Sequence, residues 1–433
     1  MKRFVVFLLS VLVTLLLSSQ GFGFGFDDEG TGNTVGDSSL AVSVGGKVSF
    51  NAVGFYDDFS NGADKTQFGD LFSGKLNFTA VTPIAKGVIN LNLNQTISPV
   101  AIDEAYLLAY LGKLDLTAGL HKLSWGKADM LGALDVINPV NYSNLSNLGE
   151  ITSLKIARPL VHASLFLGQF SKLEGVFVFN FEPDYFAESG RWCPPQFASI
   201  SQLPPSNIIR PDTSTIDYAQ AGIRFTTTLR NVADVGLQYY YGRLTTPVVT
   251  RTLSPTMPPL PVVTFAYNPY HQIGLDYAQV LSGFNIRSEA AANITEDLDG
   301  DDITVYNPSL VWSLGFDRDL FWGIKLTAQC NEKIKLFTGK ISNPVDIEYD
   351  TDLTSTLLIV RASETFLRNE LEVVASVIWD IESGASLIMP SITWTKDDLA
   401  FELSTGIFAG SSKGLFGQFH NNSFTKLGIK YTF

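Results

Sequence analysis

The sequence predicts an all-β protein, a single transmembrane antiparallel β-barrel of about 18 strands. Sixteen is the alternative count, and the strands are joined by short periplasmic turns and long extracellular loops. Three observations carry this expectation. Only 17% of the 433 residues are charged although 45% are hydrophobic and 12% aromatic, against roughly 25% charge in soluble domains. The one long apolar run, Phe4 to Leu17, lies at the N-terminus, so a bundle of membrane helices is excluded. From Leu40 onward apolar and polar residues alternate instead of following a helical repeat.

The N-terminal segment comes first. Lys2 and Arg3 precede the apolar stretch, and small and polar residues follow it. That is the layout of a secretory signal peptide, expected over residues 1–21. Residues 22–39, rich in Gly, Asp, Asn and Thr, read as a flexible leader or a plug segment, and the barrel is expected over 40–433. The net charge of −13 lacks the basic surplus that nucleic-acid binding requires. Two cysteines, Cys193 and Cys330, are too few for a disulfide framework, although a single bridge is possible in an oxidising compartment.

The strands follow from period-two alternation. Val42, Val44, Val48 and Phe50 alternate with Ser43, Gly45, Lys47, Ser49 and Asn51. Ile89, Leu91 and Leu93 alternate with Asn90, Asn92 and Asn94. Gln220, Gly222, Arg224 and Thr226 alternate with Ala221, Ile223 and Phe225. Many such segments run roughly 10–16 residues, as a tilted strand crossing a bilayer requires. Their polar faces carry Asn, Gln, Lys, Arg and Glu and need water.

Tight links are expected near Pro83–Lys86, Gly112–Lys113, Gly168–Phe170, Asn231–Asp234, Ser282–Gly283, Asp317–Asp319, Ser363–Phe366 and Lys396–Asp398. Between them fall mostly longer connections, including Gly126–Gly149, Glu182–Thr213 and Thr245–Thr264. Proline clusters in the last two argue for loops there, because proline has no ladder donor. Long and short connections alternate, which distinguishes two rims and puts both termini on the periplasmic one. Closure satisfies every backbone group in lipid, so one barrel explains the length better than several soluble domains.

The last strand places Leu427, Ile429, Tyr431 and Phe433 on one face. This resembles the terminal-strand signature of Gram-negative outer-membrane barrels, which implies recognition by the barrel assembly machinery. A second resemblance covers Asp103-Glu104-Ala105-Tyr106-Leu107, Leu116 to Gly126 with its Trp125-Gly126 pair, and Asp135-Val136-Ile137-Asn138-Pro139-Val140. This run is similar to a hairpin and following loop of uncharacterised outer-membrane porin-like families, with His121 where those more often carry Gln or Arg. The resemblance implies the outer membrane of a diderm bacterium, with outer-membrane lipid and small solutes as partners.

Chemistry is then sought in the lumen. The Gly126–Gly149 connection is unusually apolar. It is expected either to fold into the lumen or over the mouth and narrow the pore, or to pack against its neighbours on the outer rim. Met130, Asp135 and Asn138 are its constriction candidates. Inward candidates are Asp115, His121, Lys155, Arg158, Arg224, Lys325, Glu370 and Glu372, since opposed charges in a narrow lumen favour small polar solutes. The acidic surplus points weakly to cation preference.

His162-Ala163-Ser164 resembles the His-x-Ser pair of outer-membrane phospholipases. Its face is expected to be the lumen and its position periplasmic, whereas lipid hydrolysis needs the outside. Asp297, Asp299, Asp301 and Asp302 around Gly300 lack the distant glutamate of an EF-hand loop. No enzyme, metal or cofactor is therefore expected. The expected function is a channel for passive diffusion of small polar solutes through a water-filled lumen. The alternatives are a fatty-acid-porin-like transporter of hydrophobic compounds, plugged by Phe22, Phe24 and Phe26, or a surface-exposed adhesin. Oligomeric state is not legible in the sequence.

Overall fold

A computed structural model describes residues 40–57, 71–94, 100–129, 131–230, 232–254 and 259–433, with the side chains of 150–152 excepted. The expected signal peptide and leader, and Met130, lie outside the described residues.

Period-two alternation gives strands with one apolar and one polar face, and eighteen of them pair into one sheet. In chain order these are β1 (Ala41–Phe55), β2 (Phe72–Val81), β3 (Ala85–Asn94), β4 (Val100–Leu111), β5 (Leu114–His121), β6 (Arg158–Phe166) and β7 (Ser171–Val178). After the short β8 (Ile208–Ile209) come β9 (Gln220–Leu229) and β10 (Ala233–Arg243). Beyond β11 (Val248–Leu253) and β12 (Pro261–Ala266) lie β13 (Pro269–Leu281), β14 (Phe284–Thr295), β15 (Ser309–Asp319), β16 (Lys325–Lys335) and β17 (Thr354–Phe366). The rest are β18 (Leu371–Asp380), β19 (Ala385–Lys396), β20 (Leu399–Ala409) and β21 (Phe424–Thr432).

Each barrel strand pairs antiparallel with its sequence neighbours in the barrel, and β21 returns to β1 from Lys47 opposite Thr432 to Phe55 opposite Phe424. The barrel is closed, so no barrel strand has an unpaired edge. Outward faces carry large apolar side chains, among them Val48, Leu237, Ile273, Leu275, Leu314 and Ile392. Aromatic pairs ring the outside: Trp394 with Phe401 near the short-turn rim, and Phe50 with Phe72 and Phe177 with Phe179 near the other. Apolar bands bounded by aromatic residues are the surface that lipid selects.

Leu427, Ile429, Tyr431 and Phe433 share the outward face. Cys330 is also outward, between Leu314 and Leu358 of the flanking strands. Cys193 sits in a long loop, and both thiols are free.

Two expectations about connections are corrected. Asp317–Asp319 and Ser363–Phe366 belong to β15 and β17, so the turns come later, at 320–324 and 367–370. Leu367, Arg368 and Asn369 take positive φ in the second turn, and these left-handed residues rather than Ser363–Phe366 reverse the chain. Glu370 therefore lies in a turn and not on a lumen strand face. The proline-rich stretches lie outside the barrel sheet and carry short strands of their own. Within the 244–268 loop β11 and β12 pair as a hairpin, and β8 from the 179–219 loop adds in parallel to β12. Pro261 opens β12, the strand position that tolerates a missing donor.

Candidate functional site

The polar strand faces meet inside the barrel, but water does not reach them evenly. On β6 to β16 most inward side chains away from the short-turn rim are buried, among them Arg158, His162, Glu174, Gln220, Arg224, Gln238, Gln272, Asp276, Glu289, Ser313 and Gln329. On the arc from β17 through β21 and β1 to β4 the polar inward side chains are half-buried or exposed, as at Arg361, Glu372, Ser404, Lys426, Lys430, Lys47, Ser49, Lys75, Asn77 and Asn92, whereas the apolar inward residues Ile359, Ile378, Leu387, Phe408 and Phe424 toward the long-loop rim are buried. The cause is the chain between β5 and β6.

Residues 122–157 leave β5 at the long-loop rim and enter the barrel. Asn138 clamps the stem. Its Oδ1 accepts the Leu123 amide at 2.8 Å, and its Nδ2 donates to the carbonyls of His121 at 3.2 Å and Ile156 at 2.8 Å. Beyond the clamp the loop docks on the β9–β16 wall. Trp125 packs on Tyr240, ring centroids 6.5 Å apart, over Gly222, where a Cβ would lie 2.8 Å from both rings. Leu134, wholly buried, fills the space that Gly274 leaves, since a Cβ there would stand 2.2 Å from Leu134 Cδ2. The Gln329 amide donates to Leu131 O at 2.6 Å, Gln272 to Ala133 O at 3.1 Å, and Gln238 to Leu134 O at 3.1 Å. Arg287 pairs with Asp129, and also with Asp317 at 2.7 Å.

Farther along, Leu145, Leu148 and Leu154 join a second apolar cluster with Ile359, Ile378, Leu387, Phe408 and Phe424 from the β17–β21 wall. Trp192, Phe416 and Phe419 from two other long loops complete it. The loop thus touches both sides of the barrel and crosses the lumen. Of the two placements expected for it, the lumenal one is adopted. Its irregular backbone is tolerated at membrane depth because it is buried in protein.

Several sequence-predicted charges are pinned by partners. His121 Nδ1 lies 2.8 Å from Glu104, its ring 4.2 Å from that of Tyr106. Lys155 bonds Ser124 at 2.6 Å and pairs with Asp135. Arg158 is buried against Asn180 Oδ1 and Glu182, both at 2.7 Å. Arg224 and Asp276 form a buried pair at 2.6 Å. Glu372 meets Arg361 at 3.6 Å. Glu370 meets Lys396 at 2.8 Å, a bond that holds its carboxyl below the usual range. Asp115 is inward and half-buried opposite Ser164, and Lys325 is exposed at the short-turn end of β16. Asp135 is buried, which pushes its carboxyl up against the pull of Lys155.

On the long-loop side a cavity of about 320 Å³ separates the inward loop from the wall. It is bounded by Asp135, Tyr142, Tyr270, Asn293, Tyr306 and Lys333. Asp184 borders it and accepts bonds from the Val140 amide and the Thr245 hydroxyl.

A family model described as "Protein of unknown function (DUF1302)" matches residues 36–338, more than half of the chain. The chain belongs to this family. No curated protein matches it. Among solved structures it is similar to OccAB3 of Acinetobacter baumannii, at 9% identity and a TM-score of 0.51, over 92% of this chain and 100% of that one. OccK9 (OpdG) of Pseudomonas aeruginosa gives 10% identity and a TM-score of 0.51 over 91% and 97%. OccAB4 of A. baumannii gives 10% and 0.50 over 91% and 98%. This member of the family therefore has the fold of the Gram-negative outer-membrane porins.

The His-x-Ser pair does not assemble a relay. Glu174 at 3.2 Å and Ser164 at 3.4 Å both approach the same nitrogen, His162 Nε2. A general base needs its orienting acid on the other ring nitrogen. In the acidic loop, Asp297 caps its own backbone, accepting from the amides of Gly300, Asp301 and Asp302. No group of three metal-ligating side chains occurs among the described residues.

Sequence reasoning missed Glu289, Gln238, Gln272 and Gln329, the wall residues that receive the loop. Their signal was weak: the glutamines are uncharged amides beside inward glycines, Gly222 and Gly274, on positions that water alone would suit, and Glu289 is one more charge on an inward position.

Proposed function

We propose that this protein is an outer-membrane channel through which small polar solutes diffuse passively, along the arc from β17 through β21 and β1 to β4. The single observation that supports this reading is that the polar inward side chains of the arc are half-buried or exposed, while those that the loop covers on the β6–β16 wall are buried. The loop also covers the apolar long-loop ends of β17 to β21, and below that cover and on β1 to β4 the arc presents Lys, Asn, Ser and Thr to water. On this reading the inward loop is the constriction, with Asp135 and Asn138 holding its shape rather than lining the path. Leu427, Ile429, Tyr431 and Phe433 are the terminal-strand signal for the assembly machinery.

The charge of the arc departs from that of the whole chain. Lys47, Lys75, Lys122, Lys426, Lys430 and Arg361 face Asp103, Glu104, Glu372 and Glu402 there. Lys430 has no carboxylate partner among the described residues. Selectivity is set by charge next to the path, so the channel prefers anions weakly despite the net charge of −13. The Lys, Asn and Ser lining also disfavours the fatty-acid-porin alternative, whose plug residues Phe22, Phe24 and Phe26 lie outside the described residues.

The test is conductance in planar bilayers with a potassium chloride gradient. Stable steps with a reversal potential of anionic sign are expected, moving toward zero in the Lys47→Gln/Lys430→Gln double variant. A membrane silent at all voltages would refute the channel. Cation selectivity in the wild type would refute the assigned path.

A further inference from the structure

Inside a barrel an irregular segment has no strand partner, so each of its peptide groups needs another source of hydrogen bonds. Among the described residues of 127–134, six such bonds come from four wall side chains. Three carbonyls are served separately, by the glutamines of β10, β13 and β16 described above. All three amides go to one group. Glu289 of β14 accepts from the amides of Lys127 and, at 2.7 Å, Ala128 with Oε1, and from Leu134 at 3.0 Å with Oε2.

That carboxylate is about 1% exposed, and no lysine or arginine pairs with it among the described residues. Its cross-strand neighbour on β13 is Asp276, which is committed to Arg224. A buried carboxylate without a countercharge is costly unless several donors solvate it, and here the donors are the loop's own amides. The loop is shaped to fit. A Cβ at Gly126 would stand 2.2 Å from Glu289 Oε1, and one at Gly132 would stand 2.9 Å from Oε2.

We infer that Glu289 is the positioning residue that holds the inward loop across the lumen, and that this attachment sets the largest solute the barrel passes. The second clause rests on the channel reading; the first does not. An amide in place of the carboxylate keeps the volume but turns N–H groups toward at least one of the three loop amides. That leaves buried donors unpaired. The glutamines cannot substitute, because each donates and none is placed to accept from these amides.

The experiment compares wild type, Glu289→Gln and, from the loop side, Gly132→Ala, each as the full chain refolded into lipid. Amide hydrogen exchange at Lys127, Ala128 and Leu134 reads the attachment without any need for conduction. Loss of one hydrogen bond to a charged group predicts exchange faster by about ten-fold or more, with amides of β13 and β14 unchanged. Liposome swelling with arabinose and raffinose reads the size limit. Arabinose is expected to enter all three proteins, and raffinose to enter only the variants or to enter them faster.

Unchanged exchange and an unchanged raffinose limit in both variants would overturn the role of Glu289. Faster exchange with the raffinose limit intact would overturn its control of size. A wild type that admits neither sugar but loses loop protection in the variants would refute the channel reading and leave the attachment standing. If Glu289→Gln does not fold, Gly132→Ala alone decides, since it alters the cradle from the loop and leaves every wall side chain in place.

Discussion

Replacing Arg224 with Met tests whether the lumen charges of the β9–β16 wall are pore groups or structural ones. Arg224 and Asp276 lie 2.6 Å apart with side chains 5% and 0% exposed, and Gly236 leaves room for the carboxylate, since a Cβ there would stand 2.2 Å from Asp276 Oδ2. The pair is incompletely satisfied, with Arg224 Nε and Asp276 Oδ1 lacking further hydrogen-bond partners. Methionine fills much of the arginine volume but strands the carboxylate. Removing one partner of a buried pair costs about 3–5 kcal/mol, whereas replacing both with apolar groups of similar size is often neutral. Arg224→Met is therefore expected to lower unfolding stability in lipid vesicles by that amount, and Arg224→Met/Asp276→Leu to recover most of it. The same variants leave the reversal potential of the channel unchanged, because neither group borders the wet arc. Two outcomes sink the reasoning: a loss below about 1 kcal/mol, which only a solvated pair would give, or a clear change in ion selectivity on Arg224→Met.

Two further outcomes follow from the long-loop side. Trp192 packs its ring 5.5 Å from Phe408 and 5.8 Å from Phe419, so Trp192→Ala should cost about 3–5 kcal/mol; denaturant unfolding monitored by tryptophan emission checks this, and a cost near zero would show that the lumenal cluster is not packed. Burial pushes the Asp184 carboxyl above its usual range, against the Val140 and Thr245 bonds that pull it down. A raised folded value means stability that is fully present below the unfolded value near 3.9 and lost as pH rises through the folded one. Wild type should accordingly lose melting temperature relative to Asp184→Asn as pH rises above about 4, and parallel pH profiles for the two proteins would contradict the burial argument.

The barrel was legible because lipid imposes a local rule. Every outward residue answers to the same solvent, so Val42 to Phe50 or Leu427 to Phe433 reveals its face without reference to any other strand. The inward faces obey no such rule, because their solvent is whatever the loops leave there. Arg224 and Lys430 are both basic residues on the polar face of an alternating strand, yet one is buried in an ion pair and the other is exposed. The difference is made by residues 122–157, roughly a hundred positions from Arg224 and about three hundred from Lys430. The apolar content of that loop announced that it would be buried, and Asn138 and Trp125 were singled out with it. What it would be buried against was hidden, because a receiving wall is written in small gaps and amides, Gly222, Gly274, Gln238, Gln272 and Gln329, which resemble an ordinary wet strand face one strand at a time. Glu289 was the least visible of all, since an inward glutamate looks like a pore charge until three amides from another part of the chain are found on it. An inward glycine opposite an inward amide does not by itself tell the two walls apart, since Gly274 lies opposite Gln238 on the covered wall and Gly428 opposite Asn51 on the arc; what separates them is the side chain from the loop, Leu134, that fills the gap at Gly274.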